Sequence, residues 1–357
     1  MRRGLISWSK AELPESVLDA RIARVQTAMA QAGIDILAIY TNPARESGVA
    51  WLAGFIPYWN QCVLLLPRAG RPVLVAGMTA RVRDWIMRNG HLADVTNTTR
   101  IGAETGRLVA QQKSNATVAI ADLESVPGSV VEGIRANAAS VIDGSALLEQ
   151  VRTPSDPAEL AFAFKAAGIA HAALAAASWR ESDGARLVGA IDGTARRNGA
   201  EEVYVALAPD LAASRRLIRL EGTAALGPRF AARVSLAYKG TWVRMVRTLG
   251  RDAMLADDLA SATSQFATGL AALPQTDRLK RFAGFLIEGC RTTTPLEPLA
   301  GSALADTRAP GPGTIVTVQA TIETDGGTIL VGAPVLIGRN GEAASALIAP
   351  RFDNTAE

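Results

Sequence analysis

The sequence predicts an α/β (α+β) protein in two domains, and three stretches carry that expectation. Over residues 1–150, amphipathic helical patterns alternate with short apolar runs, the order of a helix-flanked and largely parallel sheet. At 151–157, Val-Arg-Thr-Pro-Ser-Asp-Pro punctuates the chain with two prolines and opens a long helix. Within 151–357, β-branched and aromatic runs paired about glycine-containing turns predict hairpins.

The elements follow in order. Val17, Ile22, Val25, Met29 and Ala30 stand at helical spacing within 16–33, and Gly33 ends that helix. Ile34–Tyr40 suits a buried strand, with further strands expected at 62–66, 73–75 and 117–120. Helices are expected at 79–89, 104–112 and 128–138. The loops Asn42-Pro43-Ala44-Arg45-Glu46 and Ile56-Pro57-Tyr58-Trp59-Asn60 read either as pocket lining or as turns and surface packing. In the junction, Asp156 is a good N-cap, Pro157 suits the first helical position, and Glu159 has capping-box spacing. That helix runs to Ser178, and a second covers 185–198 and closes at Gly199. Val203–Ala208 reads as a strand. Helices are expected at 254–272 and 277–288, then strands at 314–321 and 328–337.

Arg233–Thr248 is the most informative stretch. Two β-prone runs flank Lys239-Gly240, where glycine takes positive φ without steric cost. With the turn there, Tyr238 faces Thr241, Ser235 faces Arg244 and Arg233 faces Val246. Alternation then puts Arg233, Ser235, Arg244 and Val246 on one face.

Composition excludes several classes. Hydrophobic residues make up 48% of the chain, enough for a sizeable core. The net charge is +3 and no basic run is interleaved with aromatics, so nucleic acid is not an expected partner. Arg215, Arg216 and Arg219 form the densest basic cluster and read as a solvated face. Cys62 and Cys290 are far apart, which argues against a disulfide framework or zinc ribbon and fits a reducing cytoplasm. No segment reads as a membrane span, since Lys165 and His171 interrupt the Ala-rich stretch near 170, and no apolar stretch follows Met1-Arg2-Arg3. A cytoplasmic protein without membrane contact or cofactor is expected.

The hairpin resembles the paired-aspartate hairpin of the aminopeptidase P, methionine aminopeptidase and creatinase superfamily, peptidase family M24, whose catalytic domain is the pita-bread fold. Tyr238-Lys239-Gly240 and Arg247-Thr248 keep its frame. Gly33-Ile34-Asp35-Ile36-Leu37, Trp51-Leu52-Ala53-Gly54-Phe55 and Leu64–Pro67 are similar to the creatinase N-terminal domain, and Arg152–Leu160 to the start of a prolidase catalytic domain. The resemblance implies a creatinase-type N-terminal α/β domain over 1–150 and a pita-bread domain over 151–357.

Metal-dependent members of that superfamily hold two cations with two aspartates, a histidine and two glutamates, and activate a water for amide hydrolysis. The aspartate positions fall on Arg233 and Arg244, eleven residues apart. The histidine position falls on Cys290, and the glutamate positions on Gln319 and Gly332. Arginine only donates hydrogen bonds and cannot replace a carboxylate on a divalent metal. The chain's histidines are His91 and His171, both ahead of where the ligand and substrate-facing histidines would lie. The acid/base histidine of metal-free creatinase is therefore missing too.

The remaining candidates read as structural. His171 is a core or interface residue on an apolar helix, His91 a surface turn residue, Cys290 a packing residue, and Glu201-Glu202 and Asp257-Asp258 solvated ends. The resemblance with these departures implies a pseudoenzyme that binds a small molecule or serves as the silent subunit of an assembly, as a homodimer or with a related active chain. The alternative is a metal-independent, creatinase-like hydrolase of a C–N bond in a small carboxylated compound. Two guanidinium groups about 7–8 Å apart on one sheet face repel each other unless compensated. Arg233 and Arg244 either grip a small anionic ligand or are closed by internal salt bridges, with Glu323 and Asp325 as candidate partners.

Overall fold

The computed structural model describes residues 8–43, 47–273, 275–289 and 311–348. Two compact units divide the chain, Met1–Thr153 and Pro154–Glu357.

The first unit strings α1 (Glu15–Gln31), β1 (Ile36–Thr41), α2 (Ser47–Ala53), β2 (Cys62–Pro67), β3 (Val73–Ala76), α3 (Arg83–Arg88), β4 (Asp94–Asn97), α4 (Ile101–Gln112), β5 (Thr117–Ala121), α5 (Gly128–Arg135), β6 (Ser140–Asp143) and α6 (Ser145–Val151). Its six strands run in the order β4-β3-β2-β1-β5-β6. The sheet is mixed rather than largely parallel: β1, β2 and β3 pair antiparallel, while β3–β4, β1–β5 and β5–β6 are parallel. The physical reason lies in Arg68–Pro72, a link too short for a crossover, which turns β2 back onto β3 with Gly70 at φ 89°. Both faces are covered. Leu37 and Ile39 pack with Ile22, Val25 and Met29 of α1, and Ile36 and Ala38 with Val109 of α4 and Ile134 of α5.

The second unit opens with α7 (Pro157–Ala175) and α8 (Gly184–Arg197). Asp156 caps α7, its Oδ1 accepting from the N–H groups of Ala158 at 3.1 Å and Glu159 at 3.0 Å. By length and composition α7 could cross a membrane, contrary to the sequence expectation that no segment could. Here it packs against two sheet strands and α8. Next come β7 (Glu202–Ala208), β8 (Arg229–Tyr238), β9 (Thr241–Gly250), α9 (Leu255–Leu270), β10 (Gly284–Gly289), β11 (Ile315–Thr324) and β12 (Gly327–Leu336), with β13 (Ser345–Ala346) on the edge of β12.

The main path β10-β11-β12-β9-β8-β7 is antiparallel throughout. Leu255, Leu259 and Phe266 of α9 pack on Val318, Ala320, Val331 and Ala333, which fixes one face of β11 and β12 as core. The helix expected over 277–288 is instead a short 3₁₀ turn, Thr276–Arg281, followed by β10. Gly284-Phe-Leu-Ile is a short apolar run whose period does not choose between helix and strand. Pairing with β11 decides it, and places Glu288 opposite Thr317.

Candidate functional site

The site is built on the sheet face opposite α9. The β8–β9 register sets Tyr238 against Thr241, Ser235 against Arg244 and Arg233 against Val246, as the turn chemistry predicts. Lys239 and Gly240 both take positive φ, 48° and 75°, the condition of a type I′ hairpin turn. A left-handed lysine is unfavourable by itself. Glu201 offsets this, its carboxylate accepting from the N–H of Lys239 at 2.5 Å and of Gly240 at 3.2 Å. Glu201 is thus part of the turn rather than a solvated end, and Glu202 is buried.

Val246 pairs with Gly332, Gly332 with Gln319, and Gln319 with Leu286. Since paired residues share a face, Arg233, Val246, Gly332, Gln319 and Leu286 form one row across five strands. Arg244 and Glu288 lie on the same face, each two residues along its strand from that row. The structure therefore brings together four of the five positions matched to metal ligands: Arg233, Arg244, Gln319 and Gly332. Cys290 lies outside the described residues.

Arg233 and Arg244 are buried, at 2% and 0% exposure, and they converge on one carboxylate. Arg233 Nη2 is 2.5 Å from Glu288 Oε2, and Arg244 Nε is 3.3 Å from Glu288 Oε1. Arg244 Nη1 also donates to the Gly289 carbonyl at 3.3 Å. Strands β8 and β10 are four steps apart in the sheet. Flat, those steps of about 4.8 Å would separate them by roughly 19 Å, beyond the combined reach of an arginine and a glutamate. The ion pair therefore requires the sheet to curve, with this face concave.

Glu288 replaces Glu323 and Asp325 as the partner of these arginines. Glu323 sits at the β11–β12 turn, where Arg215 is 2.7 Å away and Thr328 donates to it at 2.9 Å. Sequence reasoning missed Glu288 because it lay inside an expected helix. No period marks Glu288 as a strand residue, because Phe285, Leu286 and Ile287 are three consecutive apolar residues.

Among the described residues, the donor set does not fit a divalent metal pair. The two aspartate positions carry guanidinium groups, which repel cations and have no lone pair to offer. At Gly332 a Cβ would already meet Val246 Cγ2 at 3.0 Å and the Val318 carbonyl oxygen at 3.2 Å. A glutamate there needs Val246 to move. Among the described residues, no group of three or more His, Cys, Asp or Glu side chains is arranged to hold a metal ion.

A second buried arginine stands on the same face of β8. Arg229 Nη2 lies 2.7 Å from both Asp252 and Asp258. Burial pushes the Asp258 carboxyl up, but hydrogen bonds from Arg229, Thr324 and the Gly326 N–H outweigh it and hold it below the usual carboxylate range. Asp258 is therefore a buried ion-pair partner and not a solvated end. Beside it a cleft of about 860 Å³ opens between the 210–217 loop and strands β10, β11 and β12, with Gln319 in its wall.

The remaining candidates lie elsewhere. His171 is half-buried on α7. His91 is not a surface turn residue: it is 2% exposed, with Nε2 2.6 Å from Asp19 Oδ1 and its ring edge-on to Trp8. Burial pushes the Cys62 thiol up to about 12, which leaves it no nucleophilic role near neutral pH. Tyr58 stacks on Trp59 and meets Trp85 edge-on, which makes that loop aromatic packing; residues 44–46 of the other loop lie outside the described residues.

Comparison with known proteins agrees with this geometry. Residues 21–153 match the model of the creatinase/prolidase N-terminal domain family. No curated protein sequence matches the chain. Among solved structures, the Mycobacterium ulcerans dipeptidase PepE is similar at TM-score 0.70 and 15% identity, covering 96% of this chain and 98% of its own. The Pyrococcus horikoshii prolidase is similar at TM-score 0.71 and 14% identity, covering 93% and 99%. A Bacillus anthracis Xaa-Pro dipeptidase is similar at TM-score 0.69 and 17% identity, covering 94% and 99%. The chain therefore carries a creatinase/prolidase N-terminal domain and has the fold of the creatinase and aminopeptidase P superfamily.

Proposed function

We propose that this chain is a degenerate aminopeptidase P-like protein without metal-dependent peptidase activity, which uses the concave face to bind a small molecule. One observation carries the reading. The positions matching the paired aspartates are two buried arginines that share Glu288. In a metallopeptidase the carboxylates would be countered by bound cations. Here the cations belong to the chain, and Glu288 pairs with both. The crowding of Gly332 by Val246 supports the same reading, because restoring one ligand would not restore the site.

The test uses Xaa-Pro dipeptides, since the similar structures include prolidases and an Xaa-Pro dipeptidase. Purified protein supplied with Mn²⁺ or Co²⁺ is expected to leave them intact. Metal-stimulated cleavage that persists after removal of contaminating peptidases would overturn the reading.

A second reading follows from the donors. Two buried guanidinium groups on one concave face suit bidentate recognition of an anion near Arg233 and Arg244. In that version the protein is a carboxylate binder, or a metal-independent hydrolase of a carboxylated compound with this pair as the clamp. A silent subunit paired with an active relative is the corresponding assembly, tested by whether such a chain co-purifies.

A further inference from the structure

We infer that the cleft beside the arginine–glutamate triad is a binding site for an apolar organic carboxylate bearing one hydroxyl or N–H group at its inner end. The inference deepens the proposed role as a small-molecule binder and rests on it, but moves the ligand from Arg233 and Arg244 to the adjoining space.

Gln319 supplies the first observation. It lines the cleft, is 9% exposed, and its Oε1 meets no hydrogen-bond partner. Its cross-strand neighbours explain why. Leu286 on β10 is apolar and Gly332 on β12 has no side chain, so neither can satisfy the amide. A buried primary amide left in this state favours a visitor with a complementary polar group.

The walls supply the second observation. Leu211, Leu217, Leu286 and Leu330 line the cleft, whose volume of about 860 Å³ lies within the usual range for small-molecule sites. The third is charge at the mouth. Arg215 is engaged by Glu323, whereas Arg216, exposed beside it, forms no ion pair among the described residues. Arg216 therefore has its donors available for a carboxylate. Polar mouth, leucine walls and one inner amide together describe an amphipathic acid with its charged end outward.

The experiment compares 8-hydroxyoctanoate with octanoate on the full chain, by calorimetry and thermal shift, for wild type, Arg216→Ala and Gln319→Leu. The hydroxy acid is expected to bind wild type at least fivefold more tightly than octanoate and to raise its melting temperature. Arg216→Ala should weaken both acids at least threefold. Gln319→Leu should abolish the preference for the hydroxyl while still binding octanoate. Absence of binding at millimolar acid, equal binding of the two acids by wild type, or wild-type affinities in both variants would overturn the inference. If Gln319→Leu fails to fold, the two acids on wild type and the loss in Arg216→Ala decide. Peptidase assays on the same samples separate the failures: metal-stimulated cleavage would defeat the proposed function, and lack of binding alone would defeat this site.

Discussion

Two buried arginine centres stand four residues apart on one face of β8, and they are built in opposite ways. At Arg229 one guanidinium serves two carboxylates, Asp252 and Asp258. At Arg233 and Arg244 two guanidinium groups serve one carboxylate, Glu288. The first centre ties the ends of the β8–β9 pair to α9 and the β11–β12 turn, and its acids are redundant. The second spans the concavity, and its acid has no substitute among the pairs described.

The largest expected effect breaks the second centre. Glu288→Ala removes the carboxylate that two buried cations share, and a loss of about 3–5 kcal/mol in unfolding free energy is expected from denaturant melts. Replacing all three members at once, with Arg233→Met, Arg244→Leu and Glu288→Leu, should cost far less than the sum of the single changes. Additive losses would mean the triad is not one unit.

The first centre should respond more weakly. Asp258→Asn leaves Asp252 on Arg229, and a loss of about 1–3 kcal/mol is expected. Acid sharpens the same point. The Asp258 carboxyl titrates lower folded than unfolded, so its stabilisation is complete above the unfolded value of about 3.9 and is lost as pH falls through the lower, folded value. Wild type should therefore lose more stability than Asp258→Asn below about pH 4, and the two acid melting curves should converge. Parallel curves would remove Asp258 from the account.

The smallest effect concerns the turn that sets the register. Glu201→Ala removes two charge-assisted bonds to the Lys239-Gly240 backbone, and a loss of about 1–2 kcal/mol is expected without change of fold. Lys239→Gly in the same background should recover part of it, because glycine accepts positive φ freely. No recovery would show that the turn is not strained.

These centres also mark how far the sequence was legible. The β8–β9 register followed from local chemistry, because a Lys-Gly turn between β-prone runs has one economical pairing. The same parity put Arg233 and Arg244 on one face. Glu288 was illegible because its strand is a short apolar run, and only pairing with β11 distinguishes it from a helix. Asp258, Glu201 and His91 read as surface residues for a related reason. Each is engaged by a group 29 to 72 residues away, with Arg229, Lys239 and Asp19 as the partners, and no local pattern encodes such a meeting. The mixed order of the first sheet was missed at Arg68–Pro72, where loop length, not strand pattern, fixes direction.

The central claim is that internal cations have replaced metal at the concave face. Calorimetric titration of the full chain with Mn²⁺, together with metal analysis of the purified protein after mild dialysis, tests it most directly. The account predicts no saturable heat and no stoichiometric transition metal. One or two ions bound per chain, released by Glu288→Ala or displaced by a chelator, would contradict it.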